Sequence, residues 1–153
     1  MIVYRLAKQA YVNDLSGRGA EITGGRWNSK NTAILYTSGS RALAAIEIAV
    51  HTPLGIIPKN YWMLSIELPD DVKILELDTD DLPGSWNGNP FTHSTQFIGD
   101  DFISSRKQLV LQVPSATVQG DFNYLINPQH VDFKYIKIKS TEPFNFDSRL
   151  FKK

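Results

Sequence analysis

The chain has 153 residues, with 16 Lys+Arg against 16 Asp+Glu, three histidines and no cysteine. That length suits one domain with a real core, and zero net charge supplies no global field to draw in nucleic acid or an anionic membrane. Without cysteine there are no disulfides, no thiol catalysis and no common structural zinc site; His51, His93 and His130 lack ligand spacing, so no metal is expected.

Met1-Ile2-Val3-Tyr4-Arg5 lacks the start of a signal peptide, and no apolar run reaches the roughly 20 residues that span a bilayer, so a cytoplasmic location is expected. Ile2 to Leu6 reads as a strand. Ser16 to Asn31 follows as a polar, glycine-rich loop, of a length usually found in functional or mobile segments. Ala33 to Thr37 reads as a second strand. Ser38-Gly39-Ser40 offers N-cap chemistry to a helix ending near His51, with Pro53 just beyond. Tyr61 to Leu68 and Val72 to Leu77 read as strands around the turn Pro69-Asp70-Asp71, a hairpin pattern, and Pro83 to Pro90 as an irregular loop holding Trp86. Thr92 to Arg106 fits an amphipathic helix on Phe97, Ile98, Phe102 and Ile103, although Gly99 costs about 1 kcal/mol relative to Ala. Leu109 to Val113 is a buried strand stopped by Pro114. Phe133 to Ile138 is the last clear strand, and the tail from Phe144 to Leu150 is expected to pack back on the body. Strands with inserted helices and no linker or repeat give a single compact α+β domain over residues 1–153, with a mixed or antiparallel sheet as its core and flanking helices.

The most informative residue is Glu47, the one charge in Ala42-Leu43-Ala44-Ala45-Ile46-Glu47-Ile48-Ala49-Val50. At about 100° per residue it projects about 40° from Leu43 and about 60° from Val50, inside the stripe those residues define with Ile46. A carboxylate so placed needs a partner or a chemical use, because desolvating it costs several kcal/mol. Around it stand Arg5 after the first strand, Arg26 in Gly24-Gly25-Arg26-Trp27-Asn28, Tyr36 at the end of the second strand, and Ser115 at the end of the late one. Arginine's forked donor suits phosphate or carboxylate, a glycine pair admits close backbone approach, and tyrosine offers a face for stacking. Together they point to a phosphate-bearing ligand with an aromatic ring. Each residue also has a plainer reading: Arg5 as a strand-end charge, Gly-Gly-Arg-Trp as a turn whose arginine stacks on its own tryptophan, Tyr36 as a core ring, and Glu47 as half of a buried ion pair with Arg5 or Arg26. Walker loops, dinucleotide fingerprints and serine elbows are missing.

Read in order, Val3-Tyr4-Arg5, Gly24 to Asn28, Ile34 to Ser38, Ala42 to Glu47, Val113-Pro114-Ser115, Asn123-Tyr124-Leu125-Ile126-Asn127-Pro128 and Phe146 to Leu150 resemble the RES-domain toxins of bacterial toxin–antitoxin pairs. The resemblance spans nearly the whole chain. Asn31 stands where a glycine is usual, Phe102 where a tryptophan is usual, and Ser148 where proline often precedes the arginine.

The resemblance implies a fold related to ADP-ribosyltransferases, NAD⁺ as substrate in a cleft, and toxicity through NAD⁺ breakdown by hydrolysis or phosphorolysis. Carried over, Glu47, Arg26 and Ser115 are the implied catalytic residues, with Arg5, Arg26, Tyr36, Ser115 and Asn127 binding the dinucleotide. It further implies an Xre-like antitoxin as partner, with no direct nucleic-acid or membrane binding by this chain, and is compatible with a homodimer inside the toxin–antitoxin complex. Mono-ADP-ribosylation of a protein is the alternative outcome within the family. A non-enzymatic binding module and a ribonuclease toxin are the alternatives outside it.

Overall fold

The computed structural model describes residues 1–152. Seven strands form one mixed sheet in the order β4-β5-β6-β2-β1-β3-β7. They are β1 (Ile2–Lys8), β2 (Leu35–Ser38), β3 (Tyr61–Glu67), β4 (Ile74–Glu76), β5 (Val110–Pro114), β6 (Phe122–Ile126) and β7 (Lys137–Phe144), joined by helices α1 (Arg18–Thr23), α2 (Arg41–Val50) and α3 (His93–Ser105). Among the described residues only β4 and β5 run parallel; every other neighbouring pair is antiparallel.

Central strands read as apolar runs because both faces of the sheet are covered. One face packs Val3, Ala7, Leu35, Leu64, Ile66, Val110 and Ile126 into a continuous cluster. The other face carries two clusters. Phe102 and Ile103 of α3 pack with Leu111, Val113 and Leu125; Ala44 and Ala45 of α2 pack with Leu6, Met63, Phe146 and Phe151. Each fully buried Leu, Ile or Met here contributes roughly 1.5–3 kcal/mol. The tail does pack back on the body, its Phe146 meeting Phe144, Phe151 and Tyr61 edge to face at 5.0, 5.5 and 5.6 Å.

Several elements differ from the sequence reading. The hairpin over 61–77 does not form: β3 has both edges taken by the longer partners β1 and β7, while three residues of β4 join the far edge beside β5. Val131–Tyr135 is a 3-10 helix capped by His130, whose Nδ1 accepts from Asp132 N at 3.1 Å, so the last strand starts only at Lys137. Phe122–Ile126 is a strand that the reading missed, and the long glycine-rich loop contains α1. Asn31, standing where a glycine is usual, has φ 76°, a left-handed conformation that asparagine tolerates better than most residues. Arg5 and Tyr36 lie within their strands rather than at the ends.

Helix α2 begins as expected, with Ser40 Oγ accepting from Leu43 N at 3.0 Å. Its inward stripe ends before Val50, which is 55% exposed, because the last turn runs past the packed cluster onto an open cavity. Gly99 is the reverse of a weakness: a Cβ there would lie 1.6 Å from the carbonyl oxygen of Trp27, so α3 rests directly on the loop before β2.

Gly99→Ala is therefore expected to destabilise the fold by about 3 kcal/mol or more, despite alanine's better helix propensity. Gly19→Ala, with open space around its Cβ, is the control. Urea denaturation of the two variants reads the difference, and equal midpoints would show that α3 does not press on the loop.

Candidate active site

Strands β1 and β2 pair only at Tyr4 and Ser38, then part. The parting leaves the Tyr36 carbonyl without a ladder donor on that side, and Arg5 Nη1 donates to it at 3.2 Å. Alternation puts Arg5 on the face of Val3 and Ala7, so its guanidinium turns into the gap between the strands. Its Nε is buried without a partner. Burial pushes the Arg5 pKa down and the charge of Asp14 partly opposes this; a guanidinium so placed stays charged.

The gap opens into a cavity of about 800 Å³ lined by, among others, Arg5, Arg26, Tyr36, Glu47, Thr117 and Asn123. Glu47 is half-buried there. Its Oε1 accepts from Asn123 Nδ2 at 2.8 Å and Ser115 Oγ at 3.1 Å, and its Oε2 from Thr117 Oγ1 at 3.3 Å. No ion pair joins it to Arg5 or Arg26 among the described residues, so the buried-ion-pair reading does not describe this carboxylate. Asn123 is itself oriented by Ser38, whose Oγ donates to Asn123 Oδ1 at 2.8 Å. Ser115 is buried just past β5, and its Oγ also accepts from Thr117 N and Val118 N at 3.1 and 3.0 Å. The hydroxyl thus builds the turn that carries Thr117 and fixes the carboxylate, while Ala116 and Thr117, rather than Ser115, line the cavity.

Arg26 enters from a loop held rigid from two directions. On one side Tyr36 donates through its hydroxyl to Asn28 Oδ1 at 2.7 Å and accepts from Trp27 N at 3.1 Å. Burial pushes this phenol's pKa far above its ordinary value, so it remains protonated. A side chain at Gly25 would meet that hydroxyl at 2.8 Å, which explains the second glycine of the loop. On the other side α3 supplies the ties: Thr95 Oγ1 donates to Arg26 O at 2.6 Å, Gln96 Nε2 to Gly25 O and Asn28 O at 3.1 Å each, and Asp100 Oδ1 accepts from Ser29 N at 2.9 Å. The arginine side chain is latched as well, Nη1 donating to Trp86 O at 2.8 Å and Gly88 O at 2.9 Å. Burial lowers its pKa, and the Glu47 carboxylate partly offsets this. Arg26 stands over Phe91, at 5.9 Å from the ring centroid, and not over its own Trp27, which packs against Trp86 instead.

Glu47, Arg5, Arg26 and Tyr36 are therefore brought to one cavity, with Ser115 behind Glu47. Asn127 is not. It is fully buried at the end of α3, where Nδ2 donates to Ile103 O at 3.1 Å and Oδ1 accepts from Gln129 N at 2.9 Å. It satisfies helix-end carbonyls and, fully buried, does not reach the cavity. Residues missed by the sequence reading are Thr117 and Asn123 beside Glu47, and Thr95, Gln96 and Asp100 on α3. The last three had a signal, since they set a polar strip with Gly99 into an otherwise amphipathic helix. Among the described residues no cluster of three or more His, Cys, Asp or Glu could hold a metal ion, and no helix is long and apolar enough to cross a membrane.

In comparisons with known proteins, the RES domain family matches residues 2–147. The chain is 40% identical over 149 residues to a "Prs ADP-ribosylating toxin" from Sphingobium sp., covering 96% of this chain and 92% of that protein. It is 37% identical over 155 residues to "Toxin Res" from Photorhabdus laumondii, covering 99% of this chain and 98% of the other. Among solved structures, a chain of the M. tuberculosis MbcT-MbcA toxin-antitoxin complex shares the fold with a TM-score of 0.73 at 20% identity, over 98% of this chain and 86% of that one.

The α3 ties generate a test. Gln96→Leu removes both bonds from α3 to the Gly25 and Asn28 carbonyls, which keep only each other's backbone amides, and is expected to cost about 1–3 kcal/mol for the two bonds by urea denaturation. Wild-type stability in that variant would show that the loop does not depend on α3's side chains.

Proposed function

Because the chain belongs to the RES domain family, we propose that it is the toxin of a toxin–antitoxin pair and that it cleaves the nicotinamide–ribose bond of NAD⁺. The observation that carries the reading is Glu47: a carboxylate held by three neutral donors, paired with no cation, and opening on a cavity that also holds two guanidinium groups. In this reading Arg5 and Arg26 bring positive charge to the substrate's diphosphate. Arg26 fits that task, since its loop is fixed and only Nη1 is spent on the protein. Breaking the bond develops positive charge on the ribose, as in glycoside cleavage, and an unneutralised carboxylate stabilises it. Nicotinamide leaves from a pyridinium already positively charged, so no strong general acid is required and no histidine need be placed for one. Water gives ADP-ribose, nicotinamide and a proton; phosphate gives the 1-phosphate of ADP-ribose and nicotinamide.

Ser115 acts in this scheme through Glu47 rather than on ribose, because its hydroxyl is occupied by the carboxylate and the turn. A second reading, transfer of ADP-ribose to a protein side chain, is favoured by the name of the Sphingobium relative, an ADP-ribosylating toxin. It shares the bond cleavage and differs only in the acceptor. A binding module in which Glu47 merely neutralises an arginine is disfavoured by the lack of that pair. An Xre-like antitoxin as partner is supported by the resemblance and by the toxin–antitoxin complex whose fold this chain shares.

Purified protein incubated with NAD⁺, with and without phosphate, is expected to release nicotinamide, and the mass of the second product identifies the acceptor. Glu47→Gln should lower kcat at least about a hundredfold with an unchanged urea midpoint. The amide nitrogen can face Thr117, whose hydroxyl then accepts instead of donating. Ser115→Ala should lower kcat with KM nearly retained, whereas a rise in KM alone would place Ser115 on the substrate. Full turnover by Glu47→Gln would remove the catalytic assignment. In cells, expression is expected to arrest growth and co-expression of an adjacent Xre-like protein to relieve it; persistent arrest would reject that partner.

A further inference from the structure

The segment after Trp86 contributes Asn87, Asn89 and Phe91 to the cavity, and the chemistry above uses none of them. Phe91 is 42% exposed at the cavity wall, and Arg26 stands over its ring. The segment is fixed by Arg26, which donates to the carbonyls of Trp86 and Gly88. Asn87 and Asn89 are both exposed, with their amides at the cavity wall. No hydrogen bond links the segment to Ser115, Thr117 or Asn123, which surround Glu47.

We infer that Phe91, with Asn87 and Asn89, forms a purine-base subsite, which under the NAD⁺ reading receives the adenine end of the substrate. Order along the dinucleotide carries the assignment: the scissile ribose belongs at Glu47, the diphosphate at arginine, and adenosine is the next unit. The segment that Arg26 itself holds is where that unit falls. A phenyl face stacks on any base, and an adjacent guanidinium adds cation–π attraction to a stacked pair. An asparagine amide offers one donor and one acceptor side by side, matching N7 and the 6-amino group of adenine. Hypoxanthine presents two acceptors at those positions and leaves the amide oxygen facing another oxygen. The subsite thus selects adenine over hypoxanthine and acts on binding rather than on bond cleavage. It rests on the NAD⁺ reading only for the direction in which the dinucleotide lies.

The test is calorimetric titration of AMP and IMP into the wild type, Phe91→Ala and Phe91→Tyr, with urea midpoints as the folding check. AMP should bind the wild type more tightly than IMP, Phe91→Ala should weaken AMP about tenfold, and Phe91→Tyr should restore it. With catalysis as readout, Phe91→Ala should lose about tenfold more kcat/KM on NAD⁺ than on nicotinamide mononucleotide, which has the scissile bond but no adenylate. Failure of AMP to bind the wild type, equal AMP binding by Phe91→Ala, or equal losses on both substrates would overturn the subsite. If the wild type releases no nicotinamide from NAD⁺, the cleavage reading falls while the AMP titrations still decide the base subsite.

Discussion

The structure depends on a ladder that is left unfinished. Strands β1 and β2 meet at one residue pair, and past it the Tyr36 carbonyl is served by the Arg5 guanidinium instead of a backbone amide. The sheet interrupted in this way is not covered by one helix layer. Its second face divides into a cluster beneath α2 and a cluster beneath α3, and the cavity is the space between them. An unpaired buried carbonyl costs about 1–3 kcal/mol, so Arg5 serves the fold as well as lining the cavity. That double duty explains why a guanidinium tolerates burial with its Nε unsatisfied: the alternative orphans a carbonyl as well.

The carboxylate is handled in the opposite way. An arginine against Glu47 would neutralise it and hold it in a fixed pair. Serine, threonine and asparagine donors offset its desolvation, at roughly 1.5–3 kcal/mol for each bond to a charged group, without cancelling its charge. The negative charge therefore stays open to the cavity, in a position that the fold has already set. Positive and negative groups share one cavity without quenching each other because each is tied to uncharged protein groups. Arg26 is tied to carbonyls, Arg5 to a carbonyl, and Glu47 to hydroxyls and an amide.

What the sequence disclosed follows from locality. Glu47 was visible because a charge inside an apolar helical stripe is a violation readable within ten residues of α2, and Ser40's capping was equally local. The α+β class and most strands were readable for the same reason. Strand partners were not: nothing in Tyr61 to Leu77 says that β3's two edges belong to β1 and β7, so a short turn suggested a hairpin that long-range pairing overrides. Asn127 shows the limit of carrying roles by motif, since its segment does form a strand end but its side chain is spent on α3. Thr117 and Asn123 could not be assigned without knowing that the turn after β5 and the start of β6 converge on α2.

Gly99 shows how far these constraints extend from the cavity. Within α3 it costs helix propensity, yet any larger residue would set a Cβ 1.6 Å from the Trp27 carbonyl oxygen and push the helix off the loop. The close approach lets Thr95, Gln96 and Asp100 reach the loop backbone, and those contacts use backbone carbonyls and an amide rather than the Arg26 guanidinium. Position is thus imposed on Arg26 through its main chain, while most of its side-chain donors stay free. A local loss in the helix is exchanged for a placed charge, and the residues that break local rules, Gly99 in a helix and Glu47 in an apolar stripe, converge on the same cavity.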